Sequence, residues 1–303
     1  MLKNKENGII QCGREITDQE IEEIKETVEF CRQLSLQELV LTIAENLQWY
    51  TASGTNKHDA CLKLLKKLER QGILQLPEKR STTKSRVKKK ILITEETAPQ
   101  SKISCKLADL GPIKLEIVTG DSKTATLWKE YMTRYHYLGY RKPFGFTIRY
   151  FLESDRGPLG CVLFSGAAKA MGARDRWIGW TSKQRLRNLA WVINNSRFLI
   201  FPWVTVKNLA SHVLGKINRQ ICGHWQEHWG YRPVLIETFV DPTRYEGTCY
   251  KAANWQYVGM TTGQGLVRKN KTYTTRPKKI FMTPLAENYR EVLCSEELVG
   301  RTL

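Results

Sequence analysis

The feature that most constrains this chain is the run from Pro233 to Gly265, PVLIETFVDPTRYEGTCYKAANWQYVGMTTGQG. Residues 234–240 are apolar and β-branched, and Asp241-Pro242 ends them, so they read as a buried strand that stops there. On a strand Glu237, Phe239 and Asp241 share one face, because side chains alternate with period two. A carboxylate there needs a reason, since burying an unpaired charge is expensive. Either Glu237 and Asp241 serve a site, or Glu237 pairs with an arginine and Asp241 only caps a turn. Residues 247–254 then predict a two-turn helix, and Trp255 opens another strand-like piece. Strand, crowded loop, short helix and glycine-punctuated exit is a common frame for small-molecule and nucleotide sites.

At 303 residues the chain has room for one large or two modest domains, and 41% hydrophobic residues provide a packed core. No apolar run has the length of a membrane span, and residues 1–29 are too charged for a signal peptide, so a soluble cytoplasmic protein with no membrane partner is expected. A net charge of +18 favours polyanions, nucleic acid first. None of the eight cysteines lies in a CxxC pair, which predicts reduced structural thiols rather than a zinc site.

The N-terminal portion, 1–78, reads as helical after a frayed start over residues 1–12. Thr17 with Glu20, and Ser35 with Glu38, have the capping-box form before apolar residues at helical spacing. Asn56 is placed to cap a third helix with Ala60, Cys61, Leu64, Leu65 and Leu68 on its buried side, and residues 73–76 follow as a short extended piece. Three helices and an extended piece predict a winged-helix-like module, with Lys57, Lys63, Lys66, Lys67 and Arg70 left for DNA phosphates. The bland alternative is an interaction module with solvated lysines. Residues 79–102 read as a linker, whose stretch 79–90 holds seven basic residues and no acidic one. Lys88, Lys89 and Lys90 there would track a phosphate backbone.

The second domain, 103–285, predicts a strand over 113–118, a helix over 122–135, and a hairpin of 146–152 with 159–165. An irregular stretch over 167–178, a helix over 181–190, a buried strand over 197–201 and a long helix over 206–228 pausing at Gly223 come next. A final strand over 279–282 and a surface helix in the tail 286–303 complete an α/β (α+β) fold around a mixed sheet.

The motifs YHYLGYRKPFG, RDRWIGW, NNSRFLIFPWV, NLASHVLG and ETFVDPTRYEGTCYKAANW occur in one order. With ENLQWYTASGTNK, they resemble the Druantia protein DruA family over roughly residues 15–290. That family occurs in bacterial anti-phage defence systems and as the front portion of transposase-like proteins. The resemblance implies a role in phage defence or mobile-element DNA handling, with DNA and other defence proteins, such as a helicase, as partners. It carries over no catalytic residue. A weaker, topological resemblance is to GNAT-type acyltransferases. In that fold a helix N-terminus binds the pyrophosphate of an acyl-coenzyme A, and a tyrosine on a later short helix protonates the leaving thiolate. CYKAANW stands at that later place, which would make Tyr250 the acid and Glu237 a base. The turn VKNLASH departs from the pattern: Asn208 and Ala210 stand where glycines belong and speak against the coenzyme.

Three readings of the second domain compete. A nuclease would hold a magnesium ion with Glu237 and Asp241, assisted by His136 or His212. A group transferase would use Tyr250. A non-catalytic DNA-recognition surface would use Arg174, Arg176, Arg197, Trp177, Trp180, Tyr137 and Tyr140, with Asn194, Asn195 and Asn254 for polar contacts. All three share one expected pocket lined by His136, Arg174, Arg197, Glu237, Asp241, Tyr250 and Asn254. Cys249 can gain thiolate character at a helix start, or serve as a small buried residue.

Overall fold

A computed structural model describes residues 9–31, 34–77, 91–120, 122–143, 146–263 and 276–296. They fall into two compact units, one of 9–77 with 182–187 and one of 91–181 with 188–296.

The first unit opens on an antiparallel hairpin, β1 (Ile9–Gln11) and β2 (Arg14–Ile16). It turns at Cys12 and Gly13, both with positive φ, where fraying was expected. Helices α1 (Asp18–Phe30) and α2 (Leu36–Asn46) begin where the sequence placed them, and both capping boxes form through Thr17–Glu20 and Ser35–Glu38. Helix α3 (His58–Arg70) is capped at Lys57 without a side-chain bond, because Asn56 is drawn into a bridge with Tyr50. Ile24, Leu39, Ile43, Leu64, Leu65 and Leu68 close a core at helical spacing. Residues 71–77 form no strand. Ile73 N–H returns to Leu68 O, and Leu76, buried, gives its N–H to Glu69. Among the described residues, strands of this unit occur only ahead of its helices, and the basic turn expected after residues 73–76 lies outside the described residues. Ser35→Ala should cost about 1 kcal/mol by removing an N-cap acceptor, read as a lower urea midpoint of the full chain.

The second unit runs β3 (Ile103–Ser104), β4 (Lys114–Ile117), α4 (Lys123–Tyr135), β5 (Thr147–Ser154), β6 (Gly157–Gly166), α5 (Gly172–Ile178), α6 (Ser182–Asn188, its first six residues grouped with the first unit), β7 (Val192–Ile200), β8 (Val204–Thr205), α7 (Leu209–Trp229), β9 (Leu235–Val240), α8 (Thr248–Ala252), β10 (Gln256–Met260), β11 (Lys279–Pro284) and α9 (Tyr289–Leu293). Seven strands make one sheet in the order β10-β11-β9-β7-β6-β5-β4, antiparallel except for the central parallel pair β7/β9, while β3 and β8 form a separate parallel pair. This is the mixed α/β fold that the sequence predicts.

Residues 167–178, read as irregular, contain α5, whose buried members are Arg174 and Ile178. Helix α7 passes through Gly223 unbroken. Val213, Leu214, Ile217, Ile221 and Trp225 bury along it, which outweighs the ~1 kcal/mol a mid-helix glycine costs. The tail helix α9 is five residues long and buries Tyr289 and Leu293 instead of lying free on the surface. None of the eight cysteines is joined in a disulfide. Among the described residues no helix is long and apolar enough to cross a membrane.

Candidate functional site

Strands β7 and β9 pair in parallel only from Val192↔Leu235 to Asn195↔Thr238, and their ladder ends there. On the other side of β7 the register with β6 shifts, because Leu163 faces Arg197 while Phe164 faces Asn195, leaving Ser196 as the extra residue. Beyond the last β7–β9 pair a cavity of about 410 Å³ opens, lined by the end of α4 and the loop after it, by β7 from Asn195, by β9 from Thr238, and by the α8 turn.

Its floor is a closed hydrogen-bond network. Tyr250, on α8, donates its hydroxyl to Asn195 Oδ1 at 2.9 Å, and Asn195 Nδ2 donates to the carbonyls of Leu163 and Arg197 at 3.3 and 3.2 Å. Thr238 Oγ1 donates to Asn195 O at 2.9 Å. Burial holds the Tyr250 phenol well above its ordinary pKa, so its proton stays in place.

The wall is cationic and aromatic. Arg197 is half-buried, and Nε and Nη1 donate to the carbonyls of Gly139 and Ser196 at 3.0 and 2.6 Å. Among the described residues it has no carboxylate partner. Burial, then the charges of Arg197 and Lys278, hold His136 neutral, with its pKa lowered to about 4. His136 Nδ1 accepts the Leu138 N–H at 3.1 Å, and the ring stacks on Tyr137 at 4.9 Å. Arg244 lies over Tyr137 at 5.0 Å, and Tyr245, 5.9 Å from Tyr137, is 56% exposed. Asp241 accepts the Thr243 N–H and hydroxyl at Oδ1, the turn cap that one reading of the sequence foresaw, and those bonds lower its pKa. Cys249 also lines the cavity, but burial raises its thiol pKa, the behaviour of a small packed residue rather than a thiolate.

The cavity thus gathers His136, Asn195, Arg197, Asp241 and Tyr250, and not the rest of the expected pocket. Glu237 is fully buried outside it. Oε2 takes Arg174 at 2.9 Å and Oε1 takes the Ala168 N–H at 2.7 Å. Arg174, also fully buried, further binds Asp175 and the carbonyl of Ala168, and lies over the buried Trp180. Neither Arg174 nor Trp180 therefore presents a face to nucleic acid. Arg176 is exposed, and Trp177 stacks on Tyr289 beneath Arg290. Asn194 lies beside Glu237 in the ladder, off the cavity lining. Asn254 is exposed just past α8 with φ +64, an asparagine in the left-handed position that ends a helix. Lys63, Lys66 and Arg70 are exposed on α3 and Lys67 is half-buried there. Lys88, Lys89 and Lys90 lie outside the described residues. Lys278 went unnoticed in the sequence. The β11–β9 pairing, with Lys279 opposite the lining residue Val240, brings it beside the cavity, and no local spacing encodes that approach.

The magnesium reading does not fit this donor set, since both Glu237 oxygens are occupied. Among the described residues no three His, Cys, Asp or Glu side chains are grouped to hold a metal ion. An acyl-coenzyme A fits no better. Asn208 adopts the left-handed conformation a glycine would, but the side chain of Ala210 remains on the cavity lining where a pyrophosphate needs bare backbone.

Among solved structures the chain is similar to a spermidine/spermine N-acetyltransferase, SpeG, from Vibrio cholerae. Identity is 10% and the TM-score 0.34, over 59% of this chain and 95% of that one. It is also similar to the aminoglycoside acetyltransferase AAC(6')-Ib, at 12% identity and TM-score 0.36 over 57% and 95%. A third likeness is to FeeM, an N-acyl amino acid synthase from uncultured soil microbes, at 12% and 0.33 over 58% and 92%. These are acyl-transferring proteins, the class that the topology resembles. No curated protein matches the chain. The family model for Druantia protein DruA matches residues 67–276, more than half of the sequence. That match begins inside α3, so most of the first unit lies outside it. The chain belongs to the Druantia protein DruA family.

Proposed function

We propose that this chain is the nucleic-acid-binding component of an anti-phage defence system, acting on DNA in the cytoplasm. One observation carries the reading: the outer face of α3 holds Lys63, Lys66, Lys67 and Arg70, and among the described residues none of them has a carboxylate partner. Ala60, Cys61, Leu64, Leu65 and Leu68 bury the opposite face, so the cationic stripe is fixed in direction by the core. A stripe of this kind neutralises phosphates and releases counterions. The net charge of +18 and the family context agree with it.

The test is binding to a short DNA duplex across a salt series. The full chain should bind at low ionic strength, with log affinity falling linearly in log salt. Replacing Lys63, Lys66, Lys67 and Arg70 together by glutamine should flatten that slope by about 3–4, nearly one for each phosphate that is no longer neutralised. A chain that ignores DNA at low salt, or an unchanged slope in the variant, sinks the reading.

A further inference from the structure

We propose that the cavity at the end of the β7–β9 ladder holds one nucleotide bearing an exocyclic amine, its base inward and its phosphate at Arg197 and Lys278. In that its source is taken to be a bound strand, the proposal rests on the nucleic-acid reading above.

The cavity's polarity runs in one direction. At the floor, Tyr250 and Thr238 direct their hydroxyl protons inward to Asn195, and Asn195 directs both amide hydrogens to carbonyls. The Tyr250 oxygen already lies 3.5 Å from the Thr238 hydroxyl, so what remains for a ligand is acceptor capacity on Thr238 Oγ1 and the second lone pair of Asn195 Oδ1. Asp241 adds Oδ2, which carries no hydrogen bond among the described residues, since Thr243 uses only Oδ1. An acceptor-lined floor selects a ligand that brings N–H donors. Thymine lacks the amine that adenine, cytosine and guanine carry.

At the rim the charge reverses. Arg197 is half-buried and fixed by two carbonyls, and has no carboxylate partner among the described residues. Lys278, half-buried, directly precedes Lys279, whose strand partner Val240 lines the cavity. Of the two carboxylates on the lining, Glu246 is paired with Lys279, while Asp241, held by Thr243 at Oδ1, keeps its charge beside Lys278 and leaves Oδ2 for the ligand. A guanidinium with open donors beside an ammonium is a phosphate site in chemical type. Also on the lining, the exposed ring of Tyr245 beside the His136–Tyr137 stack gives a base a π-face. At about 410 Å³ the space falls in the ~300–1,000 Å³ range of small-molecule pockets. Donors within and an anion at the mouth describe a nucleotide better than a polycation, which the rim repels.

Calorimetric titration of the full chain with AMP, dCMP and dTMP, alongside anisotropy with short single-stranded oligonucleotides, tests the assignment. AMP and dCMP should bind at least about tenfold tighter than dTMP, and Arg197→Gln should weaken AMP by about tenfold or more. Tyr245→Ala should weaken it several-fold, while Lys63→Gln should leave it unchanged. Thermal melting separates loss of binding from loss of fold, and Tyr245→Ala, at an exposed position, keeps the test open if Arg197→Gln unfolds. Oligonucleotide binding that persists with no AMP binding overturns the cavity assignment and spares the nucleic-acid reading. AMP binding without any oligonucleotide binding overturns that reading and spares the cavity. Equal affinity for AMP and dTMP, or indifference to Arg197→Gln, also overturns the cavity assignment.

Discussion

Arg174→Met should destabilise the folded chain by about 3–5 kcal/mol, the cost of leaving a buried carboxylate without its counter-charge. Arg174 and Glu237 are both fully enclosed and meet at 2.9 Å. The carboxylate is further held by the Ala168 N–H, and the guanidinium by Asp175 and the Ala168 carbonyl. Burial pushes the Glu237 carboxyl up, and Arg174 is the chief opposing influence. Glu237→Gln should cost less than Arg174→Met, because a neutral amide still accepts one hydrogen bond and needs no partner charge. In the double variant Arg174→Met with Glu237→Gln, the loss should fall well short of the sum of the singles. Urea unfolding of the four proteins measures this, and a loss under about 1 kcal/mol for Arg174→Met would mean that water reaches the pair. The same set tests function. Glu237 lies off the cavity, so Glu237→Gln should leave nucleotide binding intact, whereas a base or metal ligand would not tolerate the change.

That pair also shows where sequence reading stops. Strand β9, helices α1 and α2, and short α8 were legible because local signals agree: an apolar run ended by Asp-Pro, reciprocal Ser/Thr–Glu caps, and apolar residues at helical spacing. Helix α5 was not, since its most buried large side chain is an arginine, and a periodicity search counts that as surface. Arg174 finds Glu237 across 63 residues, and nothing in RDRWIGW says which carboxylate it meets. The candidate site divides the same way. Asp241, Tyr250 and Asn195 come from motifs already marked, while Lys278 arrives through strand pairing that the sequence does not announce. The N-terminal hairpin escaped because its turn, Cys12-Gly13, relies on a non-glycine residue at φ +52.

His136→Asn should flatten the acid limb of the stability curve. The ring titrates near 4 in the folded chain against an ordinary 6.5, first through burial and then through the charges of Arg197 and Lys278. A folded pKa below the unfolded one means that the unfolded chain binds the proton more readily. The stability this contributes is therefore complete above about pH 6.5 and is lost as pH falls toward 4. The full shift is worth about 3 kcal/mol, and partial solvent contact reduces the expected effect to about 2 kcal/mol. Asparagine keeps an acceptor for the Leu138 N–H and does not titrate, so subtracting its urea-unfolding curve from the parent's removes the common carboxylate contribution. The difference between parent and variant should narrow by about 2 kcal/mol between pH 7 and pH 4. A ring titrating near 6.5 by NMR would instead mean a solvated histidine and an open wall. A phosphate at Arg197 and Lys278 would screen the charges that oppose protonation, so AMP should raise the His136 midpoint and be accompanied by proton uptake near pH 5. A midpoint that ignores AMP would place the anion elsewhere.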